Sequence, residues 1–341
     1  MVHHGEHRPV LLDEVLELFA PLETGVVIDA TLGDGGHAAA LLVAHPEIRV
    51  VGIDRDSSAI ESAQRTLAPF RDRVVFVQGR FSKIADGRIT EFVGPDSAAA
   101  PGKSIELGEL QVSGVLFDLG VRSAQIEQGE RGFSYRNDGP IDMRMDRDTG
   151  VPASVLVNEE SESYLAQIFA ESGEGRFARR IARAIVRARP LASTGELAAV
   201  VDRAIPASAR RRGPPAARVF QALRIAVNSE IDELRVALPT ALDTLSVGGR
   251  CAVISYHSGE DRVVKSTFVE ASTGGCRCPV GLPCVCGARA EYKLVFRGSK
   301  KATLDESVVN PRSKSARLRA IERTPAPTDP DGSTPPRGFV S

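Results

Sequence analysis

The chain has 341 residues, of which 42% are hydrophobic and 26% charged, and its formal net charge is −1. This length accommodates one large domain with an inserted or appended segment, and the composition is typical of water-soluble proteins. No apolar run approaches the ~20 residues that span a bilayer, and no signal-peptide core is recognisable. We therefore expect a cytoplasmic protein with no membrane segment.

The first 120 residues alternate between helix and strand patterns. An amphipathic helix over 10–18 precedes four apolar strands, which begin at Val26, Val50, Val74 and Val112. Residues 94–111 are rich in Gly, Pro, Ser and Ala and are predicted to form a surface insertion. Strands that alternate with helices through right-handed crossovers predict an α/β fold with a doubly wound, mostly parallel sheet.

The strand pattern then stops for about a hundred residues. A helical pattern covers 161–228, and a further helix over 231–245 leads through a glycine turn at 248–249 into a fifth strand at 251–255. The segments 292–296 and 315–321 are predicted to form a closing hairpin. We therefore predict a first sheet part (1–135), a helical insert between strands four and five (136–228), a second sheet part (229–323) and a disordered, proline-rich tail (324–341).

A glycine loop after the first strand predicts a nucleoside site. The strand ends at Asp29 and is followed by Gly33, Gly35 and Gly36, and the second strand ends at Asp54, whose carboxylate can accept bonds from ribose hydroxyls. Dinucleotide enzymes place a pyrophosphate at such a loop. Because Asp29 would repel a pyrophosphate but attract a cation, the loop favours S-adenosylmethionine over a dinucleotide.

Positive charge is concentrated in the predicted insert. Residues 176–224 contain twelve arginines but only two acids, Glu196 and Asp202. Arginine side chains contact phosphates in a sequence-independent, salt-dependent way, so the segment is a candidate RNA-binding surface. A solvated helix face is the alternative interpretation.

Nine motifs together resemble the RsmH (MraW) family, over about residues 5–323. They are HxPVLLxE (7–14), DxTxGxGGH (29–37), DLGV (118–121), ERGFS (130–134), DGPIDMRMD (138–146), FAxRIA (177–182), ARVFQ (217–221), ISYHSxEDRxVK (254–265) and NPRS (310–313). The resemblance implies a Rossmann-like class I methyltransferase that uses S-adenosylmethionine to methylate the exocyclic N4 of a cytidine. The implied substrate is small-subunit ribosomal RNA near the decoding centre, as free RNA or in the ribosomal subunit.

The resemblance also implies a set of cofactor contacts. Matched position by position, they are Gly35, Gly36, His37, Asp54, Phe81, Asp118 and Gln125. The family often has Val-Ser-Ser after Asp-Leu-Gly, whereas this chain has Arg122 at the first serine position. Asp118 is also the candidate catalytic residue, as an acceptor for the amine hydrogens of cytosine.

Several polar residues are candidates for holding the base or its phosphates. They are Asp142, Arg144, Asp146, Arg179, Arg180, Arg183, His257, Ser258, Asp261 and Arg262. The Asp-x-Arg-x-Asp run at 142–146 is equally compatible with a structural brace. Two other functions remain open: an amino methyltransferase acting on DNA, and a cofactor-binding ribosome-assembly factor without catalysis.

Four of the five cysteines lie close together, at Cys276, Cys278, Cys284 and Cys286. Four thiolates can form a tetrahedral zinc site, although the C-x-C spacing is tighter than the usual pairs. A reversible disulfide and thiols without a function are the alternatives. The sequence does not determine the oligomeric state.

Overall fold

A computed structural model describes residues 8–90, 104–206, 214–279 and 285–326. The helices and strands, numbered in chain order, are α1 (Leu12–Phe19), β1 (Gly25–Asp29), α2 (Gly36–Ala44), β2 (Ile48–Asp54), α3 (Ser57–Thr66), β3 (Val74–Gln78), β4 (Arg88–Thr90), β5 (Ser104–Glu106), β6 (Val112–Asp118), α4 (Ser123–Glu127), α5 (Ala153–Glu159), α6 (Glu162–Phe169), α7 (Ala178–Ala188), α8 (Thr194–Ala204), α9 (Pro215–Asn228), α10 (Glu230–Thr244), β7 (Leu245–Ser255), α11 (Ser258–Thr273), β8 (Tyr292–Leu294), α12 (Leu304–Val309) and β9 (Arg317–Arg323).

The chain divides into two compact units. We refer to Met1–Gly120 with Leu234–Ser341 as the sheet unit and to Val121–Glu233 as the helical unit. In chain order, the helical unit lies between β6 and β7, which are the fourth and fifth strands predicted from the sequence.

The sheet unit contains a seven-stranded sheet of order β3-β2-β1-β6-β7-β9-β8. The first five strands in this order run parallel, and β9 runs antiparallel to both β7 and β8. The predicted α/β class, the mostly parallel sheet and the closing hairpin are therefore confirmed. Strand order reverses between β1 and β6, and the carboxyl edge at such a switch point is where doubly wound sheets bind ligands.

One local prediction was wrong. Gly248 and Gly249, expected to form a turn before the fifth strand, lie within β7. The register explains the difference, because Val112 pairs with Leu245 while Gly114 pairs with Arg250. The extra residues on β7 form an irregular bulge in a continuous strand.

The central strands are apolar almost throughout because helices cover a parallel sheet on both faces. In β6, six of the seven residues are buried, and Phe117 is fully buried. The polar exceptions are concentrated where the strands end.

The helical unit has its own core. Ile181, Ala182 and Ile185 form the buried stripe of α7, while its arginines at 179, 180, 183 and 187 are exposed. The unit begins before the predicted boundary of 136 because Phe133 belongs to this core and Val121 and Ile126 pack against it.

Two predicted segments fall partly or largely outside the described residues. They are the surface insertion, of which 94–103 are not described, and the tail, of which 327–341 are not described. Within the described ranges, no helix combines the length and apolar character required to cross a bilayer.

Candidate functional site

Three strands of the sheet end in an aspartate. Asp29 ends β1, Asp54 ends β2 and Asp118 ends β6. Because β1 lies between β2 and β6 and all three run parallel, these acids lie along one edge of the sheet. The structure thus brings together the acids that the sequence placed at predicted strand ends.

The loop after β1 is fastened to both neighbouring strands. The Gly33 backbone N–H donates to Asp54 Oδ2 at 2.9 Å. On the other side, the Asp118 backbone N–H donates to Thr31 Oγ1 at 2.6 Å. Thr31 was not singled out from the sequence, because its partner lies 87 residues away.

The glycines of this loop are required by its geometry. Gly35 has a φ of +81°, which disfavours residues with a Cβ. At Gly36, a Cβ would lie 2.6 Å from Cγ of Pro9. The N-terminal segment therefore packs directly on the start of α2.

That segment also orients His37. The Nε2 of His37 lies 3.0 Å from the Val10 carbonyl oxygen, and a carbonyl can only accept, so Nε2 carries the proton. Nδ1 then faces Asp118, with 3.7 Å between Nδ1 and Oδ2.

The Asp118 carboxylate has a second neighbour. The Tyr256 hydroxyl, just after β7, donates to Asp118 Oδ1 at 2.7 Å. Burial raises the pKa of Asp118, whereas the charge of His37 and the Tyr256 hydrogen bond act to lower it. Tyr256 lies within the quoted ISYHS motif, but nothing in its sequence position indicates a partner 138 residues away.

Negative charge accumulates at this edge. Burial raises the pKa of Asp29 to about 7, assisted by the charges of Asp118 and Asp54 and opposed by the Thr31 backbone N–H. A bound cation would relieve this repulsion, so the edge suits a positively charged nucleoside better than a pyrophosphate.

The raised pKa of Asp29 predicts an unusual pH dependence of stability. Between the unfolded value of 3.8 and about 7, the folded protein binds more protons at Asp29 than the unfolded chain. This contribution to the free energy of unfolding therefore decreases as pH rises from about 4 to 7. At about 1.36 kcal/mol per pKa unit, the raised pKa of Asp29 lowers the free energy of unfolding by on the order of 4 kcal/mol at pH 8.

We expect Asp29→Asn to stabilise the ligand-free protein relative to wild type more at pH 8 than at pH 5, as measured by urea unfolding. Asp34→Asn, in the same loop but exposed, is the control and should follow the wild-type pH dependence. Parallel curves for Asp29→Asn and wild type would contradict the assignment.

The two other proposed cofactor contacts lie in different units. In the sheet unit, the ring of Phe81 packs edge-on against Phe117, with 5.7 Å between centroids. Gln125 belongs to the helical unit, where it is buried and its Oε1 accepts from the Arg122 backbone N–H at 3.1 Å. Arg122, the departure from the family pattern, caps α4.

Arg210, Arg211 and Arg212 of the arginine-rich segment lie outside the described residues, and seven of its described arginines form two groups. Arg189 donates to backbone carbonyls of Val157 and Glu160, Arg218 pairs with buried Glu174, and Arg224 pairs with Glu230. These arginines hold the helical unit together.

The second group lines a pocket of about 520 Å³ between α7 and α8. Its charged walls are Arg180, Arg183, Arg187 and Arg203. Arg183 also lies 3.3 Å from exposed Glu162. Arg179 is exposed but does not line this pocket.

Comparison with known proteins identifies the family. The sequence matches the MraW methylase family over residues 4–324. The chain belongs to this family. Ribosomal RNA small subunit methyltransferase H of Thermobifida fusca (strain YX) is 49% identical, with 94% of each chain covered. The proteins of that name from Mycobacterium sp. (strain KMS) and Heliobacterium modesticaldum are 48% and 46% identical, covering 93% and 95% of this chain and 84% and 99% of their own.

Membership confirms the resemblance read from the sequence. It also confirms the predicted class, an S-adenosylmethionine-dependent methyltransferase with a Rossmann-like fold.

The family motif at 138–146 forms a braced segment. Asp142 makes a bidentate ion pair with Arg144, at 2.7 and 3.1 Å. Although burial acts in the opposite direction, Arg144 lowers the pKa of Asp142. Asp146 accepts from residues 148 and 149, and buried Asn228 bonds the backbone of the segment. The structural-brace alternative thus accounts for the contacts of Asp142 and Arg144.

The family motif after β7 forms a helix cap. His257 Nδ1 accepts from the backbone N–H groups of Gly259 and Glu260, and Glu260 accepts in return from Tyr256 and His257. The His257 Nε2 lies 3.0 Å from Glu260 Oε1 without hydrogen-bond geometry.

The other candidates in this motif, which are Ser258, Asp261 and Arg262, differ in their surroundings. Asp261 forms a bidentate ion pair with Arg319 of β9, at 2.8 and 3.1 Å. Ser258 and Arg262 are exposed. Of the four candidates in this motif, His257 and Asp261 are engaged within the protein, whereas Ser258 and Arg262 are accessible to a substrate.

Three of the four clustered cysteines lie within the described residues. The sulfur atoms of Cys276, Cys278 and Cys286 are all within 4.8 Å of one another. Cys284 lies outside the described residues.

Proposed function

We propose that this protein methylates the exocyclic N4 of a cytidine in small-subunit ribosomal RNA, near the decoding centre. The observation that carries the proposal is the position of Asp118, a partly buried acceptor at the same sheet edge as the two acids of a cationic nucleoside site. The names of the related proteins support ribosomal RNA of the small subunit as the substrate.

The residues present fit S-adenosylmethionine, which when bound supplies a methyl group on a positively charged sulfur. We assign its binding to the contacts in the sheet unit, which are Gly35, Gly36, His37, Asp54, Phe81 and Asp118. Gln125, in the helical unit, stays a prediction from the family resemblance. The fit rests on charge, because carboxylates that repel one another favour a cation. Asp54 is also held by the Gly33 and Asp56 backbone N–H groups, which orient its carboxylate.

The amine of cytosine is a poor nucleophile because its lone pair is delocalised into the ring. An acceptor for its hydrogens restores electron density to the nitrogen and receives the proton released on methylation. We assign this role to Asp118. Tyr256 occupies Oδ1, whereas Oδ2 lies 3.7 Å from His37 Nδ1, beyond hydrogen-bond distance, and can accept from the amine. A raised pKa makes the carboxylate a stronger base.

Binding of the RNA is assigned to the arginine pocket of the helical unit. Its arginines project from helices at a helical spacing and can contact successive phosphates. The exposed Ser258 and Arg262 are further candidate contacts in the sheet unit. Since ribosomal subunits are cytoplasmic in bacteria, the proposal places the protein there.

The deciding experiment uses isotopically labelled S-adenosylmethionine and small ribosomal subunits from cells that lack the endogenous enzyme. We expect label in N4-methylcytidine after digestion of the RNA to nucleosides and mass spectrometry. Parallel reactions with protein-free RNA distinguish the free RNA from the assembled particle.

Two outcomes would contradict the proposal. Label transferred only to DNA, in a parallel reaction that offers DNA as the acceptor, would indicate an amino methyltransferase for DNA. Binding of the subunit and cofactor without transfer would indicate an assembly factor without catalysis.

A further inference from the structure

We propose that Cys276, Cys278 and Cys286 bind one zinc ion, through side chains distinct from those assigned to methyl transfer. All three residues lie in the segment that joins α11 to β8, and their sulfur atoms converge within 4.8 Å. Convergent thiolates are soft ligands that select zinc over magnesium or calcium.

The spacing of the sulfur atoms fits shared coordination. Cys286 Sγ lies 3.6 Å from Cys276 Sγ, far beyond the ~2.05 Å of a disulfide bond. Two thiolates bound at ~2.3 Å to one tetrahedral zinc lie about 3.8 Å apart. The observed distance is therefore close to that of two ligands of a single zinc ion.

In the described part of this segment, hydrophobic packing does not hold the chain together. Among the described residues of 275–279 and 285–291, none is buried, and Val285 is 88% exposed. A small segment without a core needs a cross-link to keep a fixed conformation, and a structural metal supplies one.

The backbone closes the segment at its base. Gly274 ends α11 at a φ of +59°, and a Cβ there would lie 2.3 Å from the Arg289 carbonyl oxygen. The chain therefore returns beside the point where it left the helix. This closure brings Cys286 back to Cys276 and Cys278, a juxtaposition that the C-x-C spacing alone does not dictate.

A tetrahedral site takes a fourth ligand. The chain has a further cysteine at position 284, outside the described residues, and the proposal depends only on the three described thiols. Cys251 lies apart in β7, where burial raises the pKa of its thiol and disfavours the thiolate that metals require.

The test measures zinc in the full-length protein, purified in a thiol reductant without chelators, by inductively coupled plasma mass spectrometry. We expect about one zinc per chain, by the stoichiometry of a structural site. Removing a group that only hydrogen-bonds to a metal ligand lowers metal affinity by about 10–100-fold. Removing a ligand itself, as in Cys276→Ser or Cys286→Ser, should therefore lower zinc affinity by at least that factor. The matched control, Cys251→Ala, should retain wild-type zinc.

A second measurement uses the wild-type chain alone, in case the variants do not fold. Zinc-bound thiolates react slowly with a thiol reagent such as Ellman's reagent, so adding a strong chelator should release three or more fast-reacting thiols. Protein that takes up no zinc when reduced and supplied with the metal would overturn the proposal. So would full zinc retention in both serine variants, iron or copper in place of zinc, or a Cys276–Cys286 disulfide in protein purified without oxidant.

Discussion

Replacing Asp118 by asparagine is expected to reduce kcat for RNA methylation by about 10²–10⁴-fold, the usual contribution of a general base. The carboxylate is partly buried at the end of β6, with one oxygen held by Tyr256 and the other facing His37. Asparagine preserves the shape but replaces an acceptor oxygen with an NH₂ group, so it cannot receive a proton from the amine.

The division between chemistry and cofactor binding decides how this result is interpreted. Calorimetry with S-adenosylhomocysteine should show a smaller loss of affinity in Asp118→Asn than the loss in kcat. An equal loss in both would mean that Asp118 serves the cofactor alone, which would contradict its proposed catalytic role.

Tyr256→Phe provides a test of the positioning contact. Removing the hydroxyl removes a hydrogen bond that lowers the pKa of Asp118. Because the ionised carboxylate is the active form in this proposal, the acidic limb of the kcat/KM profile should move to higher pH. Tyr292→Phe, in β8, is the matched control and should leave this limb unchanged. If the acidic limb is unshifted in Tyr256→Phe, the hydrogen bond from Tyr256 does not set the pKa of Asp118.

The triple substitution Arg180→Ala, Arg183→Ala and Arg187→Ala should weaken RNA binding by about 10–100-fold at physiological salt. These side chains line one pocket and project from a single helix that contains no acid. Each lost phosphate contact removes about one from the slope of log affinity against log salt, so the slope should fall by about 2–3.

Affinity for S-adenosylhomocysteine should remain at the wild-type value, since the pocket residues are distinct from the assigned cofactor contacts. A matched control removes three exposed arginines of the sheet unit, Arg49, Arg65 and Arg71, with the same change in charge. Arg179→Ala tests an exposed arginine outside the pocket and should have a smaller effect. Equal losses of RNA affinity in the pocket triple and its charge-matched control would show that net charge, and not the pocket, accounts for the binding.

The elements that carry a local periodic signal were predictable. The parallel strands, the glycine loop and the three acids at the strand ends can be located because each depends on neighbouring residues: burial on both faces makes strands apolar, and the positive φ at Gly35 favours glycine.

Pairings across long separations were not predictable. Asp261 and Arg319 form an ion pair although the sequence alone made Asp261 a substrate candidate. Likewise, the arginine run gave no means of separating Arg218, which pairs with Glu174, from Arg180, which lines the pocket. Side-chain partners of this kind depend on packing and rotamers rather than on local composition.

The sequence by itself therefore determined the fold class, the family and the acidic edge of the sheet, because periodicity, glycine and motif order are properties of the chain's local chemistry. Only the tertiary structure decided that Tyr256 holds Asp118, that Val10 orients His37 and that three thiols converge. These contacts join residues far apart in the chain, and their existence depends on how the strands and loops are brought together on folding.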